Sequence, residues 1–192
     1  ATDGGLAQSK GTHGWVIALN DCILLQCAGP VDGPFDTTSS TRCELSGYAS
    51  VLLFLDHLSK FWGIRHRCHF NWYCDSKAAI SRVRRFSLRS SVFRRMPPDA
   101  DLLSIIRQST LALRRSIRRI WVKGHQDNRS QHLLSIPAQL NIAADALATE
   151  YRLHGSLNSS AKIAHRNQQQ CSISINGSRL TSQYNECIRY HV

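Results

Sequence analysis

Residues 68–85 read Cys-His-Phe-Asn-Trp-Tyr-Cys-Asp-Ser-Lys-Ala-Ala-Ile-Ser-Arg-Val-Arg-Arg. Cys68, Phe70, Trp72 and Cys74 alternate with His69, Asn71 and Tyr73, the two-residue period of a strand. Asp75 follows the last strand residue, and a short helix is expected from Ser76 to about Arg85, with Ser76 as its cap. A strand running straight into a helix is the unit of an α/β layer fold. Upstream, Leu45, Tyr48, Ala49, Leu52 and Leu55 recur at helical steps and predict a helix over Thr41 to about Ser59. Before it, Thr12–Leu19 and Ile23–Ala28 read as two strands joined by a turn at Asn20-Asp21-Cys22. Downstream, a helix is expected over Asp99–Arg115, then a strand over Ile117–Val122, a polar loop over Gly124–Gln139 and a last helix from Leu140 to about Arg152. The stub Ala1-Thr2-Asp3 reads as the end of a strand whose first part is cut off.

The 192 residues suit one domain of ordinary size with a tail. Residues 1–152 are taken as the domain, and 153–192, rich in Ser, Asn and Gln, as a polar extension or linker. The longest apolar run, Val51 to Leu55, is far short of the ~20 residues a membrane span needs. The opening residues carry no basic and apolar stretches of a signal peptide, so an intracellular location, cytoplasmic or nuclear, is expected and a membrane partner is not. Seven cysteines, with no pair at two-residue spacing, fit free thiols in a reducing compartment. Lys and Arg number 24 against 13 acids, a net charge of +11. Residues 60–129 hold 17 of these bases and 4 of the acids, the footprint of a protein that grips a phosphate backbone.

So few acids can be weighed singly. Asp3 and Asp75 end strands, Glu44 lies beside the apolar stripe of the first long helix, and Asp145 sits among small apolar residues in Asn141–Ala148. In open α/β sheets, ligands bind at the carboxyl ends of strands. Carboxylates meeting there repel one another unless divalent cations lie between them, and hard oxygen donors suit Mg²⁺. Two such ions ~4 Å apart clamp the attacking and leaving oxygens of a phosphoryl displacement. Each acid also has a local reading. Asp3 suits a turn before Gly4-Gly5, and Glu44 completes a capping box with Thr41. Asp75 suits a helix cap, and Asp145 a first-turn carboxylate favoured by the helix dipole.

Six strings occur in order: Thr2-Asp3-Gly4-Gly5, Gly11–Ile17, Ser39–Leu45, Cys74-Asp75-Ser76, Trp121–Asp127 and Asn141–Ala148. In them the chain resembles the ribonuclease H domain of the cellular and retroviral class, and most of all the domains carried by retrotransposon reverse transcriptases. The resemblance implies a ribonuclease H-like α/β fold, a five-stranded mixed sheet with helices on both sides and, here, its first strand truncated. It implies two Mg²⁺ ions, with Mn²⁺ as a substitute. Asp3 would bridge them, Asp145 would complete the site that activates water, and Glu44 and Asp75 would hold the ion at the leaving 3′ oxygen. His125 would assist proton transfer or product release.

The substrate implied is an RNA–DNA hybrid, cut in its RNA strand to leave a 5′-phosphate and a 3′-hydroxyl. The polypeptide context implied is an upstream reverse transcriptase domain. By analogy, Gly4, Gly5, Ser40, Thr41 and Ser76 would read 2′-hydroxyls across the shallow minor groove. Arg82, Arg84, Arg85, Arg89, Arg94 and Arg95 are the candidates for holding the other strand by its phosphates. His125 and Asp145 lie 20 residues apart, longer than in compact members of the family. Two other functions compete: a DNA nuclease of integrase or resolvase type on the same fold, and a catalytically silent nucleic-acid-binding module.

Overall fold

A computed structural model describes residues 1–7, 10–19, 21–33, 38–63, 69–88, 96–113, 116–126, 134–155, 174–175 and 178–179. The strands are β1 (Thr2–Ala7), β2 (Lys10–Leu19), β3 (Cys22–Pro30), β4 (His69–Cys74), β5 (Ser116–Trp121), β6 (Ser174–Ile175) and β7 (Ser178–Arg179). The helices are α1 (Ser40–Phe61), α2 (Lys77–Leu88), α3 (Ala100–Leu113) and α4 (Ile136–His154). The expected α/β class is what the chain adopts. The five-stranded mixed sheet is present only in two parts: β1, β2 and β3 run antiparallel in that order and β4 pairs parallel with β5, and among the described residues no strand pairing joins the two ladders. The short β6–β7 pair stands by itself.

Trp72 joins the two ladders. Its indole N–H donates to Thr2 Oγ1 at 2.9 Å, and its ring stacks on Tyr48 of α1 at 3.6 Å between centroids. Both polar ends of this aromatic pair thus lie within a core that also holds Trp15, Leu45, Leu52, Val83, Leu103 and Ile106. Buried aromatic side chains contribute the largest single areas to such a core.

The central strands lie between α1 and α4, and two glycines make this possible. A Cβ on Gly4 of β1 would stand 2.5 Å from the Cys43 carbonyl carbon and the Glu44 nitrogen of α1. A Cβ on Gly14 of β2 would collide with the Ala144 carbonyl oxygen of α4. Beside that contact, Thr12 Oγ1 donates to the Ala148 carbonyl at 2.9 Å. The alternation of β2 therefore turns Thr12 and Gly14 to α4, and Trp15 to α1, where its indole N–H donates to Ser50 Oγ at 3.1 Å.

Several expectations are corrected. Asp3 does not end a strand, because β1 continues through Gly4 and Gly5 to Ala7, with Asp3 opposite Gly14. The cap of α1 is Ser39, whose hydroxyl accepts from Arg42 N, so Thr41 and Glu44 form no capping box. Ser76 caps the helix after β4 by accepting from Ala79 N, which frees Asp75 from that role. The helix α4 begins at Ile136, four residues earlier than its apolar period suggests, behind Ser135 and with Pro137 in its first turn. Asp145 is therefore a mid-helix residue, outside the reach of the helix-end dipole. Residues 127–133, the middle of the polar loop, lie outside the described residues, as does most of 156–192.

Arg42 is the other surprise. It is 1% exposed, and its guanidinium bonds Asp99 at 3.2 Å, Asp101 at 2.7 Å and the Asp32 carbonyl at 2.7 Å. Arg82 completes the group through Asp99. The expected N-terminal acids of α3 thus serve as the anchor that pins α3 and α2 to the start of α1. Removing the cation takes the paired guanidinium from buried Asp101 and leaves Asp99 with Arg82, so Arg42→Met should destabilise the fold by about 3–5 kcal/mol. Urea unfolding of the two proteins at pH 7 checks this.

Candidate metal centre

One cleft of about 400 Å³ opens beside β1 and is lined by Asp3, Gly4, Gly5, Ser40, Glu44, Asp75, Ser76, His125, Asp145, Thr149 and Arg152, among others. Four elements deliver its acids. Asp3 comes from β1, Glu44 from the first turns of α1, Asp75 from the end of β4 and Asp145 from the middle of α4. Gly4 is the reason Glu44 can lie against Asp3, since α1 rests on the strand backbone there. Gly14 does the same for α4 and Asp145.

Asp3 is 7% exposed and Glu44 5%. The Asp3 carboxylate accepts from Gly4 N at 2.6 Å and from the Asn141 amide at 3.0 Å, both neutral donors. Burial, with the charges of Asp75 and Asp145 behind it, pushes the Asp3 carboxyl up to about 7. Burial and then the charges of Asp3 and Asp75 hold Glu44 well above the ordinary carboxylate range. The Cys74 Sγ lies 3.6 Å from Glu44 Oε2, and Glu44, Cys74 and Asp75 offer ligand atoms within 4.8 Å of one another. Burial drives the Cys74 thiol far upward, so it stands there as a neutral donor. The acids accordingly present a hard oxygen set whose mutual repulsion is relieved by protons or by a cation. Mg²⁺ fits such donors.

Asp75 is held from behind. The Trp121 indole N–H donates to the Asp75 carbonyl at 2.8 Å, and the Lys77 ammonium lies 4.3 Å from the centre of that indole ring. A Cβ on Gly124 would collide with Asp75 Oδ2. The loop after β5 thus passes flush against the carboxylate. His125, the next residue, is exposed, has φ 51° and lines the same cleft.

The remaining sequence candidates divide. Gly4, Gly5, Ser40 and Ser76 line the cleft; Thr41 is half-buried beside it and is not one of the lining residues. Arg84 and Arg85 are exposed on α2, whereas Arg82 is spent on Asp99. Arg89, Arg94 and Arg95 lie outside the described residues. Three site residues had no role in the sequence reading: Asn141 bonds Asp3, and Thr149 and Arg152 line the cleft. Their signal was the helical period, since 141, 145, 149 and 152 fall on one face of α4.

No family model and no curated protein matches the chain. Among solved structures it is similar to the N-terminal RNase H domain of rv2228c from Mycobacterium tuberculosis, determined as a fusion with maltose-binding protein. The TM-score is 0.48 at 22% identity, covering 78% of this chain and 93% of that one. Among the described residues, no helix is long and apolar enough to cross a membrane.

The acid cluster has a pH consequence. Asp3 titrates near 3.8 when unfolded and near 7 when folded, so between these values the native state binds the extra proton. In chelator, stability should therefore fall by a few kcal/mol as pH rises from about 4 through 7. Asp3→Asn should flatten that slope. Denaturant midpoints across the pH range check both.

Proposed function

We propose that this chain is a Mg²⁺-dependent endoribonuclease of the ribonuclease H type, acting on the RNA strand of RNA–DNA hybrids. We further propose that it serves within a retroelement polyprotein, beside a reverse transcriptase. The observation that carries the activity is the convergence of Asp3, Glu44, Asp75 and Asp145 on one cleft. Two of these acids are buried and hard to ionise without a counter-charge, which a purely structural domain has no use for. The six strings around these acids support the ribonuclease H assignment and are the support for the retroelement context.

Asp3, Glu44, Asp75 and Asp145 would hold the cations. Bound there, a pair of divalent ions stabilises both the entering and the departing oxygen of an in-line displacement. The chain's own contribution is placement. Asn141 and Gly4 N–H fix the Asp3 carboxylate. Trp121 and Gly124 fix Asp75. Water adds to phosphorus opposite the 3′ oxygen, the bond to that oxygen breaks, and the products carry a 5′-phosphate and a 3′-hydroxyl. His125, exposed at the cleft rim, is placed to pass a proton between the reacting groups and solvent. The excess of positive charge supplies the attraction for a polyanion.

Asp75→Asn should abolish cleavage of a labelled hybrid while keeping its binding. Gly124→Ala should lower the cleavage rate at least tenfold, because the new methyl displaces the same carboxylate. Gel assays with hybrid, duplex RNA and duplex DNA check these outcomes. Cleavage of duplex DNA in preference to hybrid would favour the integrase-like alternative. Binding with no cleavage of any substrate in Mg²⁺ or Mn²⁺ would favour the silent module.

A further inference from the structure

The lining of the cleft carries both signs of charge: the four acids and, in the last turn of α4, Arg152. Arg152 is the one Lys or Arg among the described lining residues of this cleft. It is half-buried, and its Nε lies 4.0 Å from where a Cβ on Gly5 would stand, so the guanidinium rests over β1. A side chain on Gly5 would begin to fill the space between strand and guanidinium. Asp145, Thr149 and Arg152 are spaced four and three residues apart, so α4 presents carboxylate, hydroxyl and guanidinium along one line. Seven residues of helix span about 10 Å.

We infer that Arg152 forms a subsite for a second phosphate of the strand being cut, one or two nucleotides from the scissile linkage. The inference rests on the proposed function and deepens it. Guanidinium is the side chain best shaped to take two phosphate oxygens at once, and a half-buried one loses less of its attraction to solvent screening than a surface arginine does. Thr149, between Asp145 and Arg152 on α4, offers a hydroxyl to the intervening sugar–phosphate. The subsite also has a chemical logic. An acid cluster repels a polyanion, and a cation about two helical turns away fixes the strand's path, so that one particular linkage lies over the acids. Arg152 is a positioning residue in this account and touches no reacting atom.

The experiment compares wild type, Arg152→Gln and Arg152→Lys. Hybrid binding is followed by fluorescence anisotropy in Ca²⁺ across a salt series, and cleavage in Mg²⁺ on hybrids carrying one neutral methylphosphonate walked along the cut strand. Loss of one phosphate contact should make the log–log salt slope of Arg152→Gln shallower by about one, with weaker binding for every sequence. Arg152→Lys should keep the slope. In the wild type, one methylphosphonate position near the cut should depress cleavage, and in Arg152→Gln that sensitivity should vanish. An unchanged slope, or the same methylphosphonate profile in both proteins, would overturn the subsite. Wild-type protein that cuts no hybrid would instead overturn the proposed function, a separate readout from the variant comparison.

Discussion

Two backbone contacts with no side chain between them govern this molecule. At Gly4 the strand β1 touches the start of α1, and at Gly14 the strand β2 touches the middle of α4. Any larger residue at either point would force strand and helix apart, since the hypothetical Cβ positions fall inside the contact distance of backbone atoms. The hydrogen bond from Thr12 to the Ala148 carbonyl and the Trp15–Ser50 bond lie beside these approaches and keep both helices in register with the strands. The geometry of the acid cluster follows from that spacing, because Glu44 and Asp145 ride on the two helices and Asp3 lies on the strand between them.

The charge distribution of the fold has two buried knots of opposite design. Around Arg42, cations and carboxylates are matched, and the starts of α1 and α3 are bound to each other and to the middle of α2. Around Asp3, carboxylates face carboxylates with neutral donors at their backs. The first arrangement serves stability. The second costs stability in the absence of a counter-ion, a cost that the proposed divalent cations would offset. Protons and divalent cations compete for it, so either one should stabilise the protein while acid weakens the binding of the metal.

Much of the architecture was legible because long apolar periods announce themselves. The alternation of residues 68–74 and the stripe from Leu45 to Leu55 each became the element expected, with ends shifted by one or two residues. What escaped was set by tertiary contact or by short-range capping. Glu44 three residues after Thr41 looked like a capping box, but Ser39 had already supplied the cap. The start of α4 was hidden because Ser135, Ile136 and Pro137 precede its apolar period. Arg42 looked like one more basic residue and is the most deeply buried charge in the described chain, a fact fixed by acids 57 and 59 residues away. Each of the four candidate acids had a local alternative as good as its functional reading, and it was their joint fit to the six strings that singled them out; three of those alternatives lost their basis once the caps and helix limits were seen. Of the arginine-rich segment, Arg82 has a structural partner, Arg84 and Arg85 are exposed, and the Lys or Arg that lines the cleft among the described residues, Arg152, sits in a different helix.

The central claim is that these acids share divalent cations. Crystals grown at pH 8 and soaked in Mn²⁺, with data collected at the manganese absorption edge, test it most directly. The account predicts anomalous density enclosed by Asp3, Glu44 and Asp75, with a second peak between Asp3 and Asp145 when a hybrid is bound. An anomalous map with no peak in this cleft at millimolar Mn²⁺, or with its peaks on other residues, would contradict it.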